Sequence, residues 1–148
     1  MGGGARCGSE RPSLHRADCR AGRTRRSRSS ALAVTGVHGV AHVSADLTGV
    51  ASGALRDSAL LSGLLIAAAG AAGLNASGAP IVRAAPSGGI SAVLLLDPCH
   101  VSIHSLPERG LALVDILARD NTGAAKALEV FVRRLTPAAV TSDTRMRG

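Results

Sequence analysis

Aromatic side chains are almost absent: one Phe (Phe131), no Trp and no Tyr in 148 residues. Exposed bases therefore find nothing to stack on, which excludes the usual single-stranded nucleic-acid platforms and speaks against a specific nucleic-acid partner. Cysteine is scarce as well. Cys7, Cys19 and Cys99 cannot close a disulfide framework. An odd count without a secretory signal is expected of a reducing compartment, the cytoplasm. Acidic residues are few, 10 Asp+Glu against 17 Lys+Arg. The imbalance is local, because residues 1–30 hold eight Arg against Glu10 and Asp18. The remaining 118 residues carry nine bases and eight acids, so that part of the chain is nearly neutral.

What is present suits one domain. The length allows a single ordinary unit, and 46% apolar residues can build its core. Residues 1–33 read as a disordered Arg-rich extension, since they offer too little apolar surface to offset ordering entropy. The run RTRRSRSS within it could hold phosphates electrostatically, and the composition also suits a transit peptide or an over-extended reading frame. No role is expected for Cys7 or Cys19.

From residue 34 onward, hydrophobic periodicity marks the elements. Alternation over 37–44 predicts a strand, followed by a turn at 46–49. Leu60, Leu61, Leu64, Leu65 and Ala68 share one stripe of a helix over 55–74, with Gly73 or Asn75 as its cap. No charge occurs between Ser58 and Val82. Its abundant Ala, Gly and Ser, with Asn75 and Pro80 inside, favour a helix packed on a sheet over a membrane span. Strands follow at 81–84, 90–96, 99–105 and 111–118. A helix over 121–135 has a stripe of Ala125, Leu128, Phe131, Val132 and Leu135, and a last strand covers 138–142. Short turns between consecutive strands imply antiparallel pairing. The expected class is α+β, a two-layer sandwich of order βαββββαβ with both helices on one face of an antiparallel sheet.

The densest polar cluster in the apolar half runs from Asp97 to Glu108, DPCHVSIHSLPE. Three readings compete for it. A strand with one polar face and a packing cysteine is the plainest, and spacing alone favours it. A metal site built on Cys99, His100 and His104 is weak, because neighbouring strand residues point to opposite faces and no cysteine pair completes a tetrahedron. The third is nucleophilic chemistry by a thiol with histidines nearby.

Beyond spacing, the stretches GVHGVAHVSADL (36–47), SGGISAVLLLDPCHVSIHSLPERGLALVDIL (87–117) and AVTSDTRMRG (139–148) resemble the small bacterial and archaeal S-adenosylmethionine decarboxylases. That family's motifs G-R-H, G-V-S-G and E-S-H-x-x-I-H-T-W-P-E are similar to G-V-H (36–38), G-I-S-A (89–92) and P-C-H-V-S-I-H-S-L-P-E (98–108) here. The resemblance implies a decarboxylase-like domain over 34–148 whose cofactor is a covalent pyruvoyl group made by self-cleavage at Pro98–Cys99. In the family that ketone forms a Schiff base with the amine of S-adenosylmethionine, and the product feeds spermidine synthesis. Carried over by position, Cys99 is the pyruvoyl precursor, Ser91 and His104 assist cleavage, and Glu108 binds the substrate ribose. A homodimer of cleaved protomers is implied, with no membrane partner and no metal. Pairing across the hairpin is expected to bring Ser91 and His104 near the 98–99 bond. Three positions depart from the pattern: Cys99 stands for a serine, Pro98 for a glutamate and Arg119 for a cysteine. The aromatic side chains expected beside adenine are replaced by VRAAPSG at 82–88. Alternatives are a decarboxylase of ornithine or arginine, and an uncleaved paralogue that binds a partner decarboxylase.

Segregated charge makes a prediction. Deleting residues 1–30 is expected to leave the melting temperature and any decarboxylation unchanged while lowering polyanion retention on heparin at low salt, a difference that fades as salt is raised. Unfolding of the truncated chain would place the domain boundary elsewhere.

Overall fold

Alternation of apolar and polar side chains writes itself directly into the sheet. In a computed structural model, which describes residues 39–148, strand β1 (Val40–Thr48) buries Ala41, Val43, Ala45 and Leu47 and turns His42, Ser44 and Asp46 the other way. The extension 1–33 and the G-V-H run at 36–38 lie outside the described residues. After β1 come helices α1 (Ser52–Arg56) and α2 (Ser58–Ala71), then strands β2 (Ile81–Ala84), β3 (Ile90–Leu95) and β4 (His100–Leu106). A 3-10 turn at Pro107–Arg109, strand β5 (Leu111–Ala118), helix α3 (Asn121–Leu135) and strand β6 (Ala139–Arg147) complete the order. All pairs are antiparallel, in the order β2-β3-β4-β5-β1-β6. Helices α2 and α3 cover one face, so the expected α+β sandwich is the observed architecture.

Three expectations about element boundaries change. The single helix over 55–74 is two helices, because the Asp57 carboxylate accepts from the Leu60 amide at 2.9 Å and caps α2. An N-cap acid ends one helix and starts the next. Helix α2 stops at Ala71 in a Schellman closure: Leu74 N–H donates to Ala69 and Gly73 N–H to Gly70, with Gly73 at φ +69°. β1 runs on through Asp46 and Thr48, and β6 through the basic end to Arg147, because each supplies the other with ladder partners from Val40↔Arg147 to Thr48↔Ala139. Local turn propensity at 46–49 loses to that pairing.

The core between sheet and helices is aliphatic, with Phe131 fully buried at its centre. In α3 the buried stripe is Gly123, Ala124, Ala127, Phe131 and Leu135, with Leu128 and Val132 half-buried and Ala125 exposed. The stripe expected from periodicity is thus rotated, because α3 packs on α2 as well as on the sheet. Gly123 lies so close to Ala72 that a Cβ there would come within 3.1 Å of its carbonyl oxygen. Among the described residues no helix is long and apolar enough to cross a membrane.

One buried hydroxyl ties the layers together. Ser105, 6% exposed, accepts from the Ile90 amide at 2.8 Å and donates to the Leu55 carbonyl at 2.7 Å. Replacing it strands two buried backbone groups. Ser105→Ala is expected to cost about 1–3 kcal/mol in denaturant unfolding. A loss within a few tenths of a kcal/mol of zero would show that another group takes its place.

Candidate functional site

The β3–β4 hairpin carries the chemistry. Its register, Ser91↔His104 through Leu95↔His100, ends in a two-residue tip at Asp97–Pro98, where the Leu96 amide donates to the Cys99 carbonyl at 2.8 Å. Asp97 and Pro98 are exposed, while Cys99 is 4% exposed and packs with the core. Burial pushes the Cys99 thiol above its ordinary range; the Arg119 guanidinium opposes this and the Asp97 carboxylate adds to it.

Ser91 and His104 meet. Opposed in the register on the uncovered face of the sheet, they hydrogen-bond through Ser91 Oγ and His104 Nδ1 at 2.9 Å. The hairpin does not bring them to the 98–99 bond. Four register steps separate the pair from Leu95 and His100, about 13 Å at ~3.3 Å per residue. The faces differ too: His104 points to the open side, whereas Cys99 has the parity of the buried Val101 and Ile103. Pairing across a hairpin aligns opposite residues; it does not shorten the distance to the turn.

Glu108 stands at the same end as Ser91 and His104, in the 3-10 turn that follows β4. Its carboxylate accepts from Arg56 Nη2, and Arg56 Nη1 donates to the Ser87 carbonyl at 3.2 Å. Arg56 therefore links Glu108 to the 85–89 turn, where Gly88 adopts φ +80°. The site residues thus fall into two groups at opposite ends of one hairpin, Cys99 at the tip and Ser91, His104 and Glu108 at the base.

Between them lies a network that motif reading passes over. His42 Nε2 is 2.6 Å from Asp115 Oδ2, and His100 Nε2 is 3.0 Å from Oδ1. A carboxylate only accepts, so both imidazoles donate through Nε2. Burial raises the Asp115 carboxyl, but the hydrogen bonds and charges of His42 and His100 outweigh that and hold it below the usual carboxylate range. A signal existed: Asp115 is the one charged residue in the apolar strand LALVDILA.

The family description S-adenosylmethionine decarboxylase matches residues 41–148. The chain is similar to the S-adenosylmethionine decarboxylase proenzyme of Pyrobaculum aerophilum, 33% identical over 100 residues, 67% of this chain and 80% of the relative. The proenzyme of Aquifex aeolicus is 32% identical over 108 residues, 72% of this chain and 79% of the relative. A crystal structure of the adenosylmethionine decarboxylase of Aquifex aeolicus superposes with a TM-score of 0.69 at 29% identity, covering 75% of this chain and 92% of that one.

The depressed carboxyl of Asp115 has a pH signature. Its contribution to stability is complete above the unfolded pKa of about 4 and is lost as pH falls through the lower folded value. Melting temperatures measured from pH 6 down to pH 2 are expected to fall less steeply for Asp115→Asn than for the parent. Parallel profiles would show that the two histidines do not stabilise the carboxylate.

Proposed function

Because the chain belongs to the S-adenosylmethionine decarboxylase family, we propose that it decarboxylates S-adenosylmethionine with a pyruvoyl group made from its own residue 99. The product is the aminopropyl donor of spermidine synthesis. The observation that carries this reading is the Ser91–His104 hydrogen bond, kept on an exposed face where packing does not require it.

Cys99 suits the group it would become. Like serine it has a nucleophile on Cβ that can leave, and it stands beside a carbonyl at an exposed hairpin tip. Its sulfur adds to the Pro98 carbonyl carbon, the C–N bond breaks, and the proton lost by sulfur ends on the freed nitrogen. The 98–99 peptide becomes a thioester. Loss of the residue 99 α-proton then expels a Pro98 thiocarboxylate and splits the chain, and water replaces the nitrogen, which leaves as ammonia. When formed, the pyruvoyl ketone supplies an electron sink as CO2 departs.

Ser91 and His104 serve that cleavage from a second copy of the chain. Their hydroxyl donates to the oxygen that gains charge, and their imidazole moves the proton. Residues at the base of a hairpin do not reach its own tip, but a partner laid antiparallel across the open face brings its base to the exposed Asp97–Pro98 turn, while Cys99 attacks the Pro98 carbonyl from the core side. Leu95 and Ile81, 53% and 50% exposed on that face, favour burial against such a partner. In this arrangement Glu108 faces the partner's residue 99 as the ribose ligand, and the Arg56 contact orients its carboxylate.

Denaturing electrophoresis with intact-mass measurement tests the reading. Two fragments are expected, the carboxy-terminal one starting at a pyruvoyl group and the fresh amino-terminal one carrying sulfur in place of a carboxylate oxygen. Ser91→Ala and His104→Ala each slow cleavage about 10²-fold or more with little change in melting temperature, while His42→Ala spares it. Mixing His104→Ala chains with Cys99→Ala chains restores cutting of the former. Wild-type cleavage rates in both alanine variants would sink the assignment, and a failed restoration would sink the shared site. A chain that stays whole until Cys99→Ser is introduced would instead be a stalled proenzyme.

A further inference from the structure

Arg119 follows the last residue of β5, and its Nη2 donates to the Asp97 carbonyl at 3.3 Å across 22 residues of sequence. That oxygen belongs to the residue before Pro98, so the guanidinium grips the hairpin tip one peptide away from the bond to be cut. The same cation acts on the buried Cys99 thiol. We propose that Arg119 is a positioning residue for attack by Cys99: it pins the tip through the Asp97 oxygen and sets a positive charge at the turn that carries the thiol. The proposal rests on the self-cleavage reading.

The surroundings give this charge its weight. Among the described residues two charges act on the thiol, Asp97 from its own turn and Arg119 from the position after β5. Asp120, next to Arg119, is occupied in capping α3 through the Gly123 amide at 2.7 Å. His100, the next residue along β4, turns to the open face and donates to Asp115. Burial and Asp97 both favour the neutral thiol, whereas the thiolate is the nucleophile. Among the described residues it is Arg119 that pulls toward the reactive form. Its exposure keeps the charge hydrated, so it can counter burial without needing a counter-ion in the core. In the attack itself the thiol loses its proton, the S–C bond to the Pro98 carbonyl forms, the C–N bond breaks, and the Cys99 nitrogen takes up a proton. No outside reagent is needed.

Two exposed-site substitutions, Arg119→Met and Arg119→Lys, separate charge from shape. The first readout is the pH of half-maximal alkylation of Cys99 by iodoacetamide in uncut chain, resolved from Cys7 and Cys19 by peptide mass spectrometry. The second is the scission rate at neutral pH. Arg119→Met is expected to move the alkylation midpoint upward and slow scission about tenfold for each unit of that movement. Arg119→Lys keeps the midpoint near that of the parent. Circular dichroism confirms that both variants fold. An unmoved midpoint in folded Arg119→Met overturns the proposal, whatever happens to scission. If the parent is never cut, self-cleavage fails as a reading, and the midpoint alone decides whether Arg119 governs the thiol.

Discussion

The hydrogen-bond register of the β3–β4 hairpin decides which functional side chains can share a surface. Once Ser91 opposes His104 and Leu95 opposes His100, the strand period of two commits every other residue. Val101, Ile103 and Ser105 go inward beneath the helices, and His100, Ser102 and His104 go outward. A one-residue slip would exchange the two sets, burying three polar side chains without partners and exposing the aliphatic ones. The core and the polar face therefore enforce the same register from opposite sides.

At the centre of that face stands one carboxylate with two partners. Asp115 stands at the middle strand and accepts from a histidine on either side, His42 of β1 and His100 of β4. The contacts order three adjacent strands and hold the half-buried carboxyl below the usual carboxylate range. At the rim, Arg56 and Arg119 do comparable work at opposite ends of the hairpin, one on Glu108 and the 85–89 turn, the other on the Asp97 carbonyl.

The elements were largely legible because their signals are local. Six strands and the helix at 121–135 follow from period-two and period-3.6 patterns. The break at Asp57 was legible in principle, since an acid three residues before Leu60 is a cap, but the longer Leu stripe masked it. The rotation of the α3 stripe was not, because it comes from the approach of Gly123 to Ala72 just past the end of α2. Nor was the length of β1 and β6, where each strand persists because the other supplies its ladder.

By itself, the sequence determined the fold class, the family resemblance and the chemical identity of the site residues: a thiol at 99, a hydroxyl at 91, an imidazole at 104 and a carboxylate at 108. These depend on residue type and spacing, which a linear chain displays. Only the tertiary structure decided distance and direction. It set Cys99 into the core at the hairpin tip, put Ser91, His104 and Glu108 toward the base, brought Arg119 onto the Asp97 carbonyl, and delivered Asp115 from a strand that motif reading had treated as plain core. Sequence separation along a hairpin measures chain length, whereas reactivity depends on separation through space and on which face of the sheet a side chain occupies.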